Sequence, residues 1–401
     1  MRKNLLVILI VIGGVAGAFC GWFFGPAMES FAFLGDLFLN ALKMIVVPLI
    51  IFSMVAGIAS LGDIRKVGGV GWKTLVYYFS TTAIAVVIGL VLVNIMKPGV
   101  GVDVSSVAMT TTATKTAGII DIILSFVPEN IFQAMAETRM LPLIFMSLLF
   151  GGVLTTIGEK GKQLLDICKT INDVLIKIVH LILYFAPIGV FALVANMLGK
   201  SGGGDAFFAE VSKVGMYSMT VISGLAIHGL IVLPLILFFL AKRSPLRYGA
   251  AMLEALVTSF STSSSSATLP VTIECAKRRG VNEAAADFVL PIGATINMDG
   301  TALYEAVAAM FIAQSYGIEL GFIHQVVIFL TATLASIGAA GIPQAGLVTM
   351  LIVLEAVGLP NEGIGMILAV DWFLDRCRTT INVWGDAVGA AVISRCKELN
   401  S

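Results

Sequence analysis

The chain has 401 residues, 58% of them hydrophobic and 12% charged, and its 25 basic and 25 acidic residues cancel to a net charge of zero. An average soluble domain carries about 25% charged residues, so this composition belongs in lipid. The zero balance leaves no basic surface for nucleic acid, no polar stretch is long enough for a separate soluble domain, and the five scattered cysteines (Cys20, Cys168, Cys275, Cys377, Cys396) point to neither a disulfide framework nor a zinc site.

Crossing a hydrocarbon core takes about 20 apolar residues. Residues 5–24, 37–61, 75–96, 140–157, 176–198 and 216–240 supply six such runs and read as ordinary spans. The first follows Arg2 and Lys3, and Gly21-Trp22-Phe23-Phe24-Gly25 offers no small-residue cleavage site, so it reads as a retained anchor. The third holds Tyr77-Tyr78-Phe79-Ser80-Thr81-Thr82. Ser and Thr often bond back to their own helix carbonyls, so this hydroxyl run is ambiguous by itself. Basic residues collect in short cytoplasmic loops. Arg2/Lys3, Arg65/Lys66/Lys73, Lys160/Lys162/Lys169 and Lys242/Arg243/Arg247 mark every second connection, the others carrying only Lys97/Lys115 or Lys200/Lys213. Cytoplasmic N- and C-termini are expected. No Asn-X-Ser/Thr acceptor occurs, which favours a bacterial inner membrane over a glycosylated animal cell surface.

After Arg247 the pattern changes. Residues 248–260 and 267–276 are each about half the crossing length, both outer flanks are basic, and Ser261-Thr262-Ser263-Ser264-Ser265-Ser266 lies between them. This predicts a helical hairpin, 246–279, entering from the cytoplasm and turning near mid-membrane, where irregular backbone is tolerated only under protein or beside a water-filled cavity. A second interrupted segment, 322–359, breaks over residues 338–346 and has no Lys or Arg on either flank, so it reads as a hairpin from outside, 321–359. Spans at 288–313 and 366–393 follow the hairpins. Hairpin-then-span occurs twice with opposite orientation, the inverted-repeat pattern that places a binding site near the midplane of secondary transporters. The expected fold is all-α and polytopic, with eight spans plus two re-entrant hairpins.

A charged side chain at a helix centre in lipid costs roughly 2.5 to 3.5 kcal/mol even on a lenient scale. The last span holds Asp371, Asp375, Arg378, Asn382 and Asp386, spaced 4, 3, 4 and 4 residues apart. At about 100° per residue they fall within roughly an 80° arc. Thr379 borders the row, and Arg376 points elsewhere. One reading is a functional site; the other is an Asp375–Arg378 pair bracing the bundle. Asn297-Met298-Asp299-Gly300-Thr301 interrupts the preceding span with oxygen ligands suited to a hard monovalent cation, or else forms a self-satisfied kink. Glu305 lies one turn on. Burial favours a carboxylate's neutral form, which suits a proton carrier, the alternative being an ion pair with a base such as Arg376.

The serine tip before Ala267-Thr268-Leu269-Pro270, the 297–301 motif, Gly341-Ile342-Pro343 and the 371–386 row together resemble the dicarboxylate/amino acid:cation symporter family over essentially the whole chain, closest in wording to its animal excitatory amino acid carriers. The resemblance implies a homotrimer in the lipid bilayer, with a scaffold part (about 1–73 and 118–200) and an elevator-like transport part (about 74–100 and 208–396, its last two spans at 284–316 and 362–395). It implies an acidic amino acid substrate whose side-chain carboxylate sits on Arg378, amino group on Asp375 and α-carboxylate on Asn382. Thr301, Thr379 and backbone of Ser263, Ser265, Ile342 and Gly346 would complete that pocket. Relatives for neutral amino acids lack the arginine. Three sodium sites are implied: Asp386 with carbonyls of Gly293, Asn297 and Asn382; Asp299 with Asn297, Tyr78, Thr81 and Thr82; and carbonyls of Thr295, Ser336, Ile337 and Ala339. Archaeal relatives carry an Arg where Ser263 stands and Gln where Glu305 stands. Arg376 and Glu305 instead match the animal carriers, implying proton symport and potassium counter-transport. Two other classes compete. A channel would need no zwitterion-shaped constellation. An aspartyl or serine protease is opposed by aspartates sharing one helix and by His180, His228 and His324, which accompany no serine motif.

Overall fold

The computed structural model describes residues 3–59, 69–100, 124, 126–200, 204–339, 341 and 343–396. Arg2, Arg65, Lys66, Lys115 and the candidate site residue Ile342 lie outside them. All regular elements among the described residues are helical. In chain order they are α1 (Lys3–Phe24), a 3-10 turn (Gly25–Phe31), α2 (Ala32–Ala59), α3 (Gly69–Met96), the short α4 (Ile131–Ala136), α5 (Met140–Leu154), α6 (Glu159–Leu183) and α7 (Ala186–Lys200). Then come α8 (Gly204–Ile227), a π turn (His228–Val232), α9 (Leu233–Phe239), α10 (Pro245–Thr262), α11 (Ser265–Arg278), α12 (Glu283–Ile296), α13 (Asp299–Ser315), α14 (Phe322–Ala335), α15 (Ala345–Ala356) and α16 (Ile364–Ile393).

By length and composition, three helical stretches among the described residues can cross a membrane: Ile8–Ile58, which spans α1 and α2, then Gly69–Met96 and Val211–Phe239. Two of the expected runs take a different form. The run at 176–198 is not one helix, because α6 and α7 meet at a 56° bend and count as one span only if read together. The run at 140–157 gives a helix of 15 residues, about 22 Å at 1.5 Å per residue, short of a roughly 30 Å hydrocarbon core.

In one group of helices, α1 and α7 approach backbone to backbone. Gly13, Gly17 and Gly21 recur every four residues along α1. A Cβ there would lie 2.3, 2.5 and 2.7 Å from the carbonyl oxygens of Pro187, Phe191 and Ala195 on α7. Small residues at this spacing let helices associate in lipid, where apolar burial drives nothing. Helix α2 packs against α5, α6 and α7. In a second group, α3 packs on α8 and α13, and α16 lies against α10, α12 and α13. The groups meet along α16, where a Cβ on Gly365 would touch Leu193 at 3.0 Å and one on Gly14 would touch the Ala369 Cβ at 3.6 Å. Both α16 positions lie more than about 100° around the helix from Asp371, so the polar row faces away from α1 and α7.

The breaks expected at 261–266 and 338–346 both form. Ser263 ends α10 in the left-handed region (φ 51°), and Ser264 caps α11 by accepting from the Ala267 amide. The arms are antiparallel, since Glu254 on the first meets Arg278 on the second at 2.7 Å. Gln344, also left-handed (φ 63°), precedes α15 after the 3-10 turn Ser336–Gly338.

Candidate substrate and cation site

Helix α16 supplies the centre. Its 30 residues run unbroken, and Asp371, Asp375, Arg378, Asn382 and Asp386 are all buried on one face. Glycines let the opposing backbone approach them. A Cβ on Gly300 would stand 2.7 Å from the Arg378 carbonyl oxygen, and one on Gly385 would stand 2.8 Å from the Asn297 side-chain Nδ2.

The brace considered from sequence is present. Arg378 Nη2 bonds Asp375 Oδ1 at 2.8 Å and Asp371 Oδ1 at 3.2 Å. Tyr304 supports it from beneath, with the guanidinium 3.7 Å from its ring centroid and its hydroxyl donating to Asp371 at 2.7 Å. Arg378 is only 1% exposed, yet among the described residues its Nε and Nη1 have no partner. A buried guanidinium with two unmatched donors is costly unless an anion meets it, and a carboxylate accepts from such a fork bidentately. The brace therefore uses part of Arg378 and leaves an edge for a ligand. Gly346 lies against that edge, its notional Cβ 2.9 Å from Nη1.

One turn on, Asn382 accepts from the Gly300 amide at 2.7 Å and donates to Thr301 Oγ1 at 3.1 Å. Thr379 donates back to the Asp375 carbonyl at 2.8 Å. At Asn297 (φ −96°, ψ 87°) the α12–α13 span unwinds. The Asn297 side chain donates to Asp386 at 2.9 Å and accepts from Thr81 at 3.3 Å. Tyr78 and Asp386 converge on Gly293, whose Cβ would fall 2.5 Å from the tyrosine hydroxyl and 2.4 Å from Asp386 Oδ1. Thr82 donates to Asp299 at 2.7 Å. The ambiguous hydroxyl run is thus resolved in part: Thr81 bonds back to Tyr77 and Tyr78 carbonyls and also reaches Asn297, whereas Thr82 reaches Asp299. Thr295 and Ser336 donate within their own segments, to Ile292 and Thr333 carbonyls, and the Ile337 carbonyl oxygen would be 3.3 Å from a Cβ on Gly57 of α2. Among the described residues no three His, Cys, Asp or Glu converge as a metal site. The donors present are single carboxylates with amide and hydroxyl oxygens.

The two hairpin tips interlock above this row. The Gly341 carbonyl accepts from Ser264 Oγ at 2.6 Å and from the Ser266 amide at 3.1 Å, and the Gln344 amide donates to Asp375 Oδ2 at 3.0 Å. Arg376 leaves the row, as expected, and donates to the Phe260 and Ser261 carbonyls at 2.9 Å each, capping the C-terminal end of α10. It does not pair with Glu305. That fully buried carboxylate accepts from Thr349 Oγ1 on α15, and its second oxygen has no partner among the described residues.

Sequence reasoning gave no role to Tyr304 or His228, and named Ser264 and Gly341 only as parts of the two tips. His228 stands on the π turn, fully buried, with Nε2 2.9 Å from Asp299 Oδ2. Its signal was available, as the polar residue in the middle of the 216–240 run, since π turns gather at functional sites. Tyr304 carried no signal, because a buried tyrosine beside Glu305 reads as packing.

A row of ionisable groups between an unwound helix and two helix tips defines a membrane carrier rather than an enzyme. The chain belongs to the sodium:dicarboxylate symporter family, whose model matches residues 6–396. It is an integral membrane transporter, which removes the protease reading. The mouse excitatory amino acid transporter 3 is 43% identical, with the match covering 91% of this chain and 79% of that protein. The human excitatory amino acid transporter 3 is 42% identical over the same shares, and the excitatory amino acid transporter of Caenorhabditis elegans is 39% identical over 98% of this chain and 88% of its own.

Proposed function

We propose that this chain is a secondary active transporter that couples sodium entry to the uptake of an acidic amino acid, glutamate or aspartate. The observation that carries the reading is Arg378, a buried guanidinium held on one side by Asp371 and Asp375, with Nε and Nη1 unpartnered among the described residues. The substrate's side-chain carboxylate takes that edge. Its ammonium takes Asp375, displacing the Gln344 amide, so occupancy of the site and the position of the outer tip are linked through one carboxylate. Its α-carboxylate accepts from Asn382, with Thr301, Thr379, Ser263, Ser265, Ile342 and Gly346 around it. Relatives named for excitatory amino acid transport support the substrate class.

Sodium is a co-substrate in this scheme. Asp386 with carbonyls of Gly293, Asn297 and Asn382 forms one site, Asp299 with Asn297, Tyr78, Thr81 and Thr82 a second, and carbonyls of Thr295, Ser336, Ile337 and Ala339 a third. The family description and the donor chemistry support sodium. A tenfold gradient contributes about 1.4 kcal/mol and ~100 mV about 2.3 kcal/mol per charge, roughly 3.7 kcal/mol per ion. An anionic substrate returns the electrical part, so steep accumulation needs several ions, consistent with several oxygen sites. Glu305 carries a proton, and with Arg376 it links the cycle to potassium counter-transport.

The carrier acts as a homotrimer with both termini cytoplasmic, and comprises eight spans and two re-entrant hairpins. The scaffold (about 1–73 and 118–200) stays fixed while the transport part (about 74–100 and 208–396) slides as an elevator. The missing glycosylation acceptor is the one observation in favour of a bacterial inner membrane, and the animal relatives lend that placement no support. Uptake of labelled glutamate into liposomes, with sodium, proton and potassium gradients imposed one at a time, tests the scheme. Saturable uptake that follows the sodium gradient is expected; non-saturable flux independent of sodium would leave a channel instead.

A further inference from the structure

The base of the inner hairpin holds an open cleft beside the C-terminal half of α16, whose Ala387 carbonyl accepts from the Tyr248 hydroxyl at 2.8 Å. It encloses about 250 Å3 and is lined by Arg243, Ser244, Arg247, Tyr248 and Arg279. Arg243 lies over the Tyr248 ring, 5.8 Å from its centroid, and donates two bonds of 2.6 Å to the carbonyls of Arg279 and Gly280. The start of the first arm is thereby tied to the end of the second. Among the described residues Arg243, Arg247 and Arg279 have no ion-pair partner, whereas next to them Arg278 pairs with Glu254 at 2.7 Å and Lys277 with Asp287 at 2.8 Å.

Helix α10 begins at the same spot. Ser244 is its N-cap, but the serine side chain bonds none of the first-turn amides. A helix N-terminus already presents roughly half a positive charge, and basic side chains are unfavourable there. Three guanidiniums without counter-charges among the described residues therefore concentrate positive potential on a pocket that also offers the Ser244 hydroxyl. Exposed apolar residues flank it in sequence: Phe238, Phe239 and Leu240 precede Arg243, and Leu246, 86% exposed, sits between Ser244 and Arg247. Apolar surface beside unpaired guanidiniums matches the boundary between lipid tails and headgroups, and basic pockets at that depth take anionic headgroups.

We propose that this cavity recognises a phosphate group, supplied by the headgroup of an anionic phospholipid that bridges the two arms of the inner hairpin at Arg247 and Arg279. Guanidinium forks match phosphate oxygens bidentately. The exposed apolar residues favour a lipid over a free anion, because they give its tails a surface.

The test is native mass spectrometry of the intact, delipidated transporter, titrated in separate arms with phosphatidylglycerol, phosphatidylcholine and inorganic phosphate. Phosphatidylglycerol is expected to bind about tenfold more tightly than phosphatidylcholine. At about fivefold per guanidinium, the Arg247→Ala/Arg279→Ala pair lowers phosphatidylglycerol affinity roughly 25-fold and leaves phosphatidylcholine unchanged. Arg247→Lys/Arg279→Lys retains part of the affinity, since it keeps the charge and loses the fork. Inorganic phosphate binding that the alanine pair abolishes, without lipid selectivity, supports the same phosphate site filled from the aqueous side. Equal phosphatidylglycerol retention by the parent and the alanine pair overturns the proposal, as does equal retention of both lipids without phosphate binding. If the alanine pair does not fold, Arg279→Gln alone, at an exposed position, carries the same comparison.

Discussion

Arg378 concentrates three demands in one side chain: it neutralises Asp371 and Asp375, rests on the Tyr304 ring, and keeps Nε and Nη1 unmatched. Charge-assisted hydrogen bonds contribute about 1.5 to 3 kcal/mol each, so two of them set a substrate preference of 100-fold or more, roughly. Arg378→Cys should therefore abolish glutamate uptake and admit a neutral amino acid of similar size, read as competition by unlabelled substrates; unchanged glutamate uptake would remove the assigned role. The same substitution leaves two buried carboxylates without their counter-charge, and breaking a buried pair costs about 3 to 5 kcal/mol, so a lower melting temperature should accompany it. Glu305 makes a different prediction, because its partner is the hydroxyl of Thr349 and not a base. Glu305→Gln keeps that acceptor and loses the titratable proton, so the pH profile of uptake should flatten while substrate selectivity stays. A profile identical to the parent's would exclude Glu305 as the proton carrier.

Among elements, the contact between the two tips decides how the site opens. Gly341 offers one carbonyl to both Ser264 Oγ and the Ser266 amide, so two hydrogen bonds among the described residues join the tips. Ser264→Ala removes the bond to Gly341, about 1 kcal/mol net, together with the cap on α11, and should raise amide exchange over α15 about fivefold while α12 is unaffected. Exchange unaltered in α15 would mean the tips are held elsewhere. Helices α1 and α7 show the opposite case, a contact with no slack. The notional Cβ of Gly17 falls 2.5 Å from the Phe191 carbonyl oxygen, so Gly17→Val must push the helices apart. Overpacking costs about 1 to 3 kcal/mol, visible as a lower melting temperature in detergent, with Gly25→Ala, where no atom is within 4 Å, unsuitable as a control only because of its positive φ. Gly215→Ala, also free of neighbours, is the better control.

For the molecule as a whole, the question is whether the helices around α16 slide past those around α1 and α7. The seam supplies a direct probe, since a Cβ on Gly14 would lie 3.6 Å from the Ala369 Cβ, within disulfide range. In a background with the five native cysteines replaced, Gly14→Cys with Ala369→Cys should cross-link on oxidation, arrest uptake, and recover with reductant. Full cross-linking with undiminished uptake would rule out sliding at this seam.

The linear sequence by itself determined the membrane class, the two helix breaks and the facing of the polar row. Each of these is local: charge frequency, serine or glycine between half-length apolar runs, and residues repeating at helical spacing. The partners were decided by tertiary structure. Spacing on α16 aligns Asp375 with Arg378 but says nothing of Tyr304 beneath them, and a histidine in an apolar run gives no hint that Asp299, 71 residues away, meets it at 2.9 Å. The bend between α6 and α7 was hidden for a related reason: hydropathy continues through Tyr184 while the helix axis turns 56°. Apolarity states only that a residue avoids water, whereas the direction of a helix and the identity of a polar group's partner depend on what packs against them.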